Sequence, residues 1–114
     1  MNKLYWCGFK KVEATLDQVK HHVGPGWSKI LEELIPKMFA AGWNGEILQV
    51  KEKYGGLRFY INSAPDEVNN LIQEAEEESL RTCEECGKEG KSTDTGWIRT
   101  LCEDHAKQND TLYS

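Results

Sequence analysis

An α+β fold is what this chain's patterning predicts: a small antiparallel sheet, two helices packed on one of its faces, and a compact C-terminal appendage. Three observations carry that prediction. Apolar residues recur at three- and four-residue steps from Trp27 to Phe39, the pattern switches to alternation between residues 45 and 62, and a second helical stripe from Val68 to Leu80 runs straight into a cluster of cysteines.

The 114 residues suffice for one domain with a small addition. Residues 1–80 are expected to form the α+β core, 81–108 the appendage and 109–114 a flexible tail. Hydrophobic residues make up 39% of the chain and charged residues 29%, which is the balance of a folded protein rather than a disordered one. A formal net charge of −5 opposes long duplex nucleic acid as a partner, so any nucleic-acid contact must be local. No apolar run approaches the roughly 18 to 20 residues that span a bilayer, and "MNKLYWCGFKKVEATLDQ" lacks the apolar stretch of a secretory signal. The expectation is a cytoplasmic protein without a membrane partner.

Along the chain, "KLYWCGF" predicts a short strand and "TLDQVKHH" a helical turn or two ended by "GPG". His21 and His22 are neighbours, so in a helix they point about 100° apart and cannot face one metal ion; they read as surface residues. In "GPGWSKILEELIPKMFAAG", Trp27, Ile30, Leu31, Leu34, Ile35, Met38 and Phe39 form one helix face. Pro36 inside it predicts a kink or a tightened turn, and Gly42 ends it. "GEILQVKEKYGGLRFYIN" predicts a hairpin with Gly55-Gly56 as its two-residue loop. "SAPDEVNNLIQEAEEESLRT" predicts a second helix, with Ser63 and Asp66 in capping-box spacing, Pro65 in the first turn, and Val68, Leu71, Ile72, Ala75 and Leu80 on one face. Glu74, Glu76, Glu77 and Glu78 read as its solvated side. Exposed edges on so small a sheet predict a homo-oligomer.

"CEECG" and "LCEDH" set Cys83-x2-Cys86 and Cys102-x2-His105 apart by fifteen residues. Each pair turns two side chains toward one point, and three thiolates with an imidazole make a tetrahedral set that suits zinc. Four protein ligands leave no open position for water, so the ion is expected to be structural, in a zinc ribbon or knuckle with His105 at the start of a short helix. A zinc deaminase would need a His/Cys-x-Glu followed by Pro-Cys-x-x-Cys, and that order is not matched. Cys7 stands apart and reads as a free thiol.

With Gly55-Gly56 as the loop, Tyr54 opposes Leu57 and Lys53 opposes Arg58. Val50, Tyr54, Leu57, Phe59 and Ile61 then share the core face, with Glu52 the exception. Gln49, Lys51, Lys53, Arg58 and Tyr60 take the other, a cationic and aromatic strip on an acidic protein. Lys51, Lys53 and Arg58 could contact phosphate and Tyr60 could stack on a base, which points to a small anionic nucleotide-type ligand. The alternative is that glutamates of the second helix, or water, satisfy this face. No nucleophile and base pair, P-loop or dinucleotide motif accompanies the strip, so no enzymatic activity is expected.

Taken together, "GPGW", "VKEKYGGLRFY", "EAEEESLRTCEECG" and "GWIRTLCEDHA" resemble a family of small proteins of tailed bacteriophages and prophages, over about residues 24 to 106. The resemblance implies expression in the cytoplasm of an infected bacterium. Small phage proteins without catalytic residues include sponges that sequester the nucleotide signals of anti-phage immunity, and by that analogy this chain is expected to be an anti-defence binding protein. A rival expectation is a zinc-ribbon adaptor that binds a host protein or nucleic acid around Lys91, Trp97 and Arg99.

Overall fold

The computed structural model describes residues 3–93 and 98–106. Trp97 and the expected tail, 109–114, lie outside the described residues. The chain folds as α+β. A four-stranded sheet has the order β2-β1-β3-β4, made of β1 (Leu4–Cys7), β2 (Lys11–Ala14), β3 (Glu46–Lys53) and β4 (Gly56–Ile61). The hairpin β3–β4 is antiparallel as expected, but β1 runs parallel to β3, pairing Tyr5 with Glu46 and Trp6 with Ile47, so the sheet is mixed.

The N-terminal stretch is more ordered than its sequence suggests. After β2, Thr15 caps α1 (Leu16–Lys20) through a full capping box with Gln18, which satisfies the first free amides of this short helix. His21 and His22 are both exposed, and the His22 ring lies 4.8 Å from that of Trp6.

A 3-10 turn (Pro25–Trp27) leads into α2 (Ser28–Ala40), whose hydrogen-bonded span continues through Pro36. Its end is a Schellman motif: Gly42, at φ 102°, donates to the Phe39 carbonyl and Trp43 donates to that of Met38. Helix α3 (Asp66–Ser79) begins differently from the expectation. Pro65 takes the capping position and no side chain caps the helix, so the Ser63–Asp66 box does not form. Its buried stripe is Val68, Ile72, Ala75 and Ser79; Leu80 is exposed, because the helix ends at Ser79.

Both helices lie on one face of the sheet, where Ile30, Leu31, Leu34 and Met38 of α2 and Val68, Ile72 and Ala75 of α3 join Ile47, Val50, Leu57 and Phe59 in one cluster. A bulge at Leu48 lets Ile47 and Val50, three residues apart, both point inward. Past α3 the chain builds a second, smaller cluster of Cys83, Leu101 and Cys102 around the strand pair β5 (Lys91–Ser92) and β6 (Thr100–Leu101).

Candidate functional site

The hairpin corrects one sequence expectation and leaves its consequence intact. The loop is Tyr54-Gly55, both at positive φ (54° and 78°), a type I′ geometry, and Gly56 already belongs to β4. Tyr54 is therefore exposed at the tip instead of buried. Pairing moves accordingly: Glu52 opposes Leu57, Lys51 opposes Arg58, and Gln49 opposes Tyr60. Each partner shifts by two residues, and since side chains alternate with period two the faces do not change. Glu52, the odd carboxylate on the inner side, accepts the Gly55 amide at 2.7 Å and so closes the turn.

By strand parity Lys51, Lys53, Arg58 and Tyr60 share the face opposite Val50, Leu57 and Phe59, and Arg58, on edge strand β4, also borders a groove with Ile72, Gln73, Glu76 and Glu77 of α3. Among the described residues the glutamates of α3 make no ion pair with them. Glu76 instead accepts the Phe59 amide at 3.1 Å, and Ser79 Oγ accepts that of Leu57 at 2.8 Å. Those amides point out of edge strand β4, so α3 seals that edge, and Glu76 is more than a solvated charge. Among the described residues none of the three cations has a carboxylate within ion-pair distance. Lys51 Nζ stands 5.9 Å from the Tyr60 ring centroid, and the covered Nε of Arg58 has no hydrogen-bond partner.

The second constellation is built from two short turns. Cys83 donates its amide to Lys88 and accepts from Gly87, at φ 83°, curling residues 83–88 into a knuckle that holds Cys83 and Cys86 side by side. After β6, Cys102 opens a helical turn over 103–106, as expected, and the Ala106 amide donates back to its carbonyl at 2.9 Å. His105, three residues on, lies on the same side as Cys102. The donor atoms of Cys83, Cys86, Cys102 and His105 all fall within 4.8 Å of one another. Cys86 and Cys102 sulfurs are 3.6 Å apart, and His105 Nδ1 stands 3.1 Å from Cys102 Sγ and 3.5 Å from Cys83 Sγ. A tetrahedron with metal–sulfur bonds of about 2.3 Å has edges of about 3.8 Å, so these residues fit a four-coordinate metal ion.

The electrostatics favour the thiolate at Cys102 and Cys83 but not at Cys86, where the lowering by the Lys88 backbone is outweighed by desolvation and the neighbouring Cys102 and Cys83, which raise the thiol. The His105 amide, aided by the His105 ring, holds the Cys102 thiol down at about 6, while Cys102 raises His105 in return. Burial pushes Cys83 up, but amides of Cys102, Cys86 and Glu85 outweigh it and the thiol lies below its ordinary value. Cys7 is remote from the cluster. Desolvation, then Glu46 at 3.5 Å, raises its thiol, the opposite of activation.

The metal module is seated on the two glycine motifs that stood out in the sequence. Gly26 donates to the Glu84 carbonyl at 2.8 Å, the Trp27 indole donates to the Thr82 carbonyl at 2.9 Å, and the Thr100 hydroxyl donates to the Gly55 carbonyl at 2.6 Å. A Cβ on Gly26 would stand 1.9 Å from the Cys83 carbonyl oxygen, and one on Gly55 3.1 Å from Arg99 and Thr100 backbone. Sequence reasoning missed this seat, whose signal was "GPGW" and "YGG" read as turns alone. Arg99 is half-buried and bound to Glu84 at 2.7 Å and to Glu85, so of the expected adaptor surface only Lys91 is described as exposed.

No family model, curated protein or solved structure matches this chain. Nor is any helix among the described residues long and apolar enough to cross a membrane.

Proposed function

We propose that this is a non-enzymatic binding protein in which structural zinc braces the C-terminal module and the open face of the β3–β4 hairpin takes a small anionic ligand of the nucleotide class. The observation that carries the ligand reading is that Lys51, Lys53 and Arg58 share one sheet face by strand parity with no carboxylate partner among the described residues. Lys51 directly opposite Arg58 is a like-charge pair, unfavourable by a few tenths of a kcal/mol until an anion lies between them. Arg58 offers a bidentate fork to a phosphate, and Tyr60, 41% exposed, offers a ring to a base.

Three sulfurs and one imidazole nitrogen favour zinc over harder cations. When bound, the ion would tie the 83–88 knuckle to the 102–106 turn, and its binding energy would serve folding. On the phage resemblance, the ligand is a nucleotide signal of anti-phage immunity and the protein its sponge.

The test is a thermal-shift screen of zinc-loaded protein against cyclic mono-, di- and trinucleotides, linear nucleotides and short single-stranded DNA. A ligand specific to the native state must raise Tm, by about 2.7 kcal/mol of added stability at a hundredfold excess over Kd. If no nucleotide shifts Tm, the ligand reading fails and the zinc reading stands or falls separately on metal content.

A further inference from the structure

We propose that two copies of this chain pair through strand β2, edge to edge and antiparallel about Val12. Among the described residues strand β2 is the unsealed edge of the sheet, the counterpart of the β4 edge that α3 closes. Its backbone orientation follows from its neighbour. The Tyr5 amide points toward β3, where it donates to the Gly45 carbonyl at 2.8 Å, so Leu4 and Trp6 turn their amides and carbonyls toward β2, onto Ala14 and Val12. The N–H and C=O groups of Lys11 and Glu13 therefore face outward.

Those two residues are also of opposite charge. In an antiparallel pair of β2 strands centred on Val12, Lys11 opposes Glu13 of the second copy and Glu13 opposes its Lys11. Both are hydrogen-bonded pairs, and both are charge-complementary. Their present ion pairs, Lys11 with Glu46 and Lys3 with Glu13, are long at 3.7 Å, with the Lys11 and Glu13 side chains well over half exposed. Other registers lose one of these matches.

The same register also covers apolar surface on this edge. Val12, 54% exposed, shares the helix-bearing face with Trp6 and Ala14 and meets Val12 of the second copy there. Edge strand, charge order and Val12 converge on a second copy as the occupant. Because the two-fold axis stands perpendicular to the sheet, the pair forms one eight-stranded sheet with all helices on one side.

The experiment is sedimentation of the full-length, zinc-loaded chain over a concentration series. The parent is expected to show a concentration-dependent dimer. Lys11→Glu and Glu13→Lys should each weaken self-association, while an equimolar mixture of the two should form a heterodimer, since every cross-strand pair in it again joins opposite charges. A parent that stays monomeric at all concentrations overturns the proposal. So does a mixture that fails to recover association.

Discussion

At the scale of single residues, glycine positions separate tolerance from necessity. Gly8 has nothing within 4 Å of where a Cβ would stand, whereas a Cβ at Gly26 would meet three backbone atoms of the metal module, at 1.9 to 2.7 Å. Backbone cannot yield as a flexible side chain can, so Gly26→Ala is expected to cost about 2 kcal/mol or more, a fall in Tm on the order of 10 °C, while Gly8→Ala leaves Tm unchanged. Calorimetric melting of the pair checks this; equal Tm values would mean that the seat on Gly26 is not formed. Arg58 gives the complementary case. It is only partly buried and makes no ion pair among the described residues, so Arg58→Ala should cost the fold a fraction of a kcal/mol while removing a phosphate contact of roughly 1.5 to 3 kcal/mol. Paired melting and calorimetric titration decide it, and a sharply destabilised variant with intact ligand affinity would end the hairpin assignment.

Among the elements, helix α3 does two jobs that its apolar stripe does not announce. Val68, Ile72 and Ala75 pack on the sheet, and one turn further on Ser79 accepts the Leu57 amide while donating to the Glu76 carbonyl at 2.5 Å. Ser79→Ala would leave the buried Leu57 N–H without an acceptor, at a cost of about 1 to 3 kcal/mol for the loss of one oxygen. Chemical denaturation should show that loss with an unchanged m-value, and hydrogen exchange should show Leu57 among the amides most accelerated. A stability within about 0.5 kcal/mol of the parent would show that the β4 edge is satisfied some other way. The edge strands thus have different fates: β4 is closed by its own helix, and β2 keeps its amides facing outward.

For the whole molecule, the central question is how far the metal's influence extends. Leu101 and the two cluster cysteines form a core of their own, separate from the 17-residue cluster between sheet and helices, so removing the metal should not unfold the sheet. The seat should nevertheless respond, because Gly26 and the Trp27 indole donate to carbonyls of Glu84 and Thr82. On chelation, or in Cys86→Ser, exchange protection is expected to be lost across 82–93 and 98–106 and at the Gly26 amide, and to persist at Val50 and Phe59. Global loss of protection would contradict two cores, and unchanged Gly26 would contradict the seat. Elemental analysis of protein purified without a polyhistidine tag should find one zinc per chain, and less than about half an equivalent would remove the metal assignment.

What was legible from residues alone follows a physical rule of distance along the chain. Cys83 and Cys86, and then Cys102 and His105, converge because each pair sits in one turn, so spacing sufficed to name the ligand set. Helical stripes and the faces of the hairpin were likewise local, depending on periods of 3.6 and 2 that survive even a two-residue shift in pairing. Tertiary contacts decided the rest. The turn closed on Tyr54-Gly55, with Tyr54 in the left-handed φ, and tertiary neighbours demand glycine at both positions after Tyr54: a Cβ on Gly56 would stand 3.0 Å from the Leu80 side chain and one on Gly55 3.1 Å from the Arg99 and Thr100 backbone. The parallel docking of β1 on β3, the sealing of β4 by Ser79 and Glu76, and the burial of Glu84 under Arg99 join residues 15 to 41 positions apart. No local period encodes such partners: their energy comes from groups that meet only once the chain has closed on itself, and that closure, more than any motif, turned two glycine turns into the seat of a metal module.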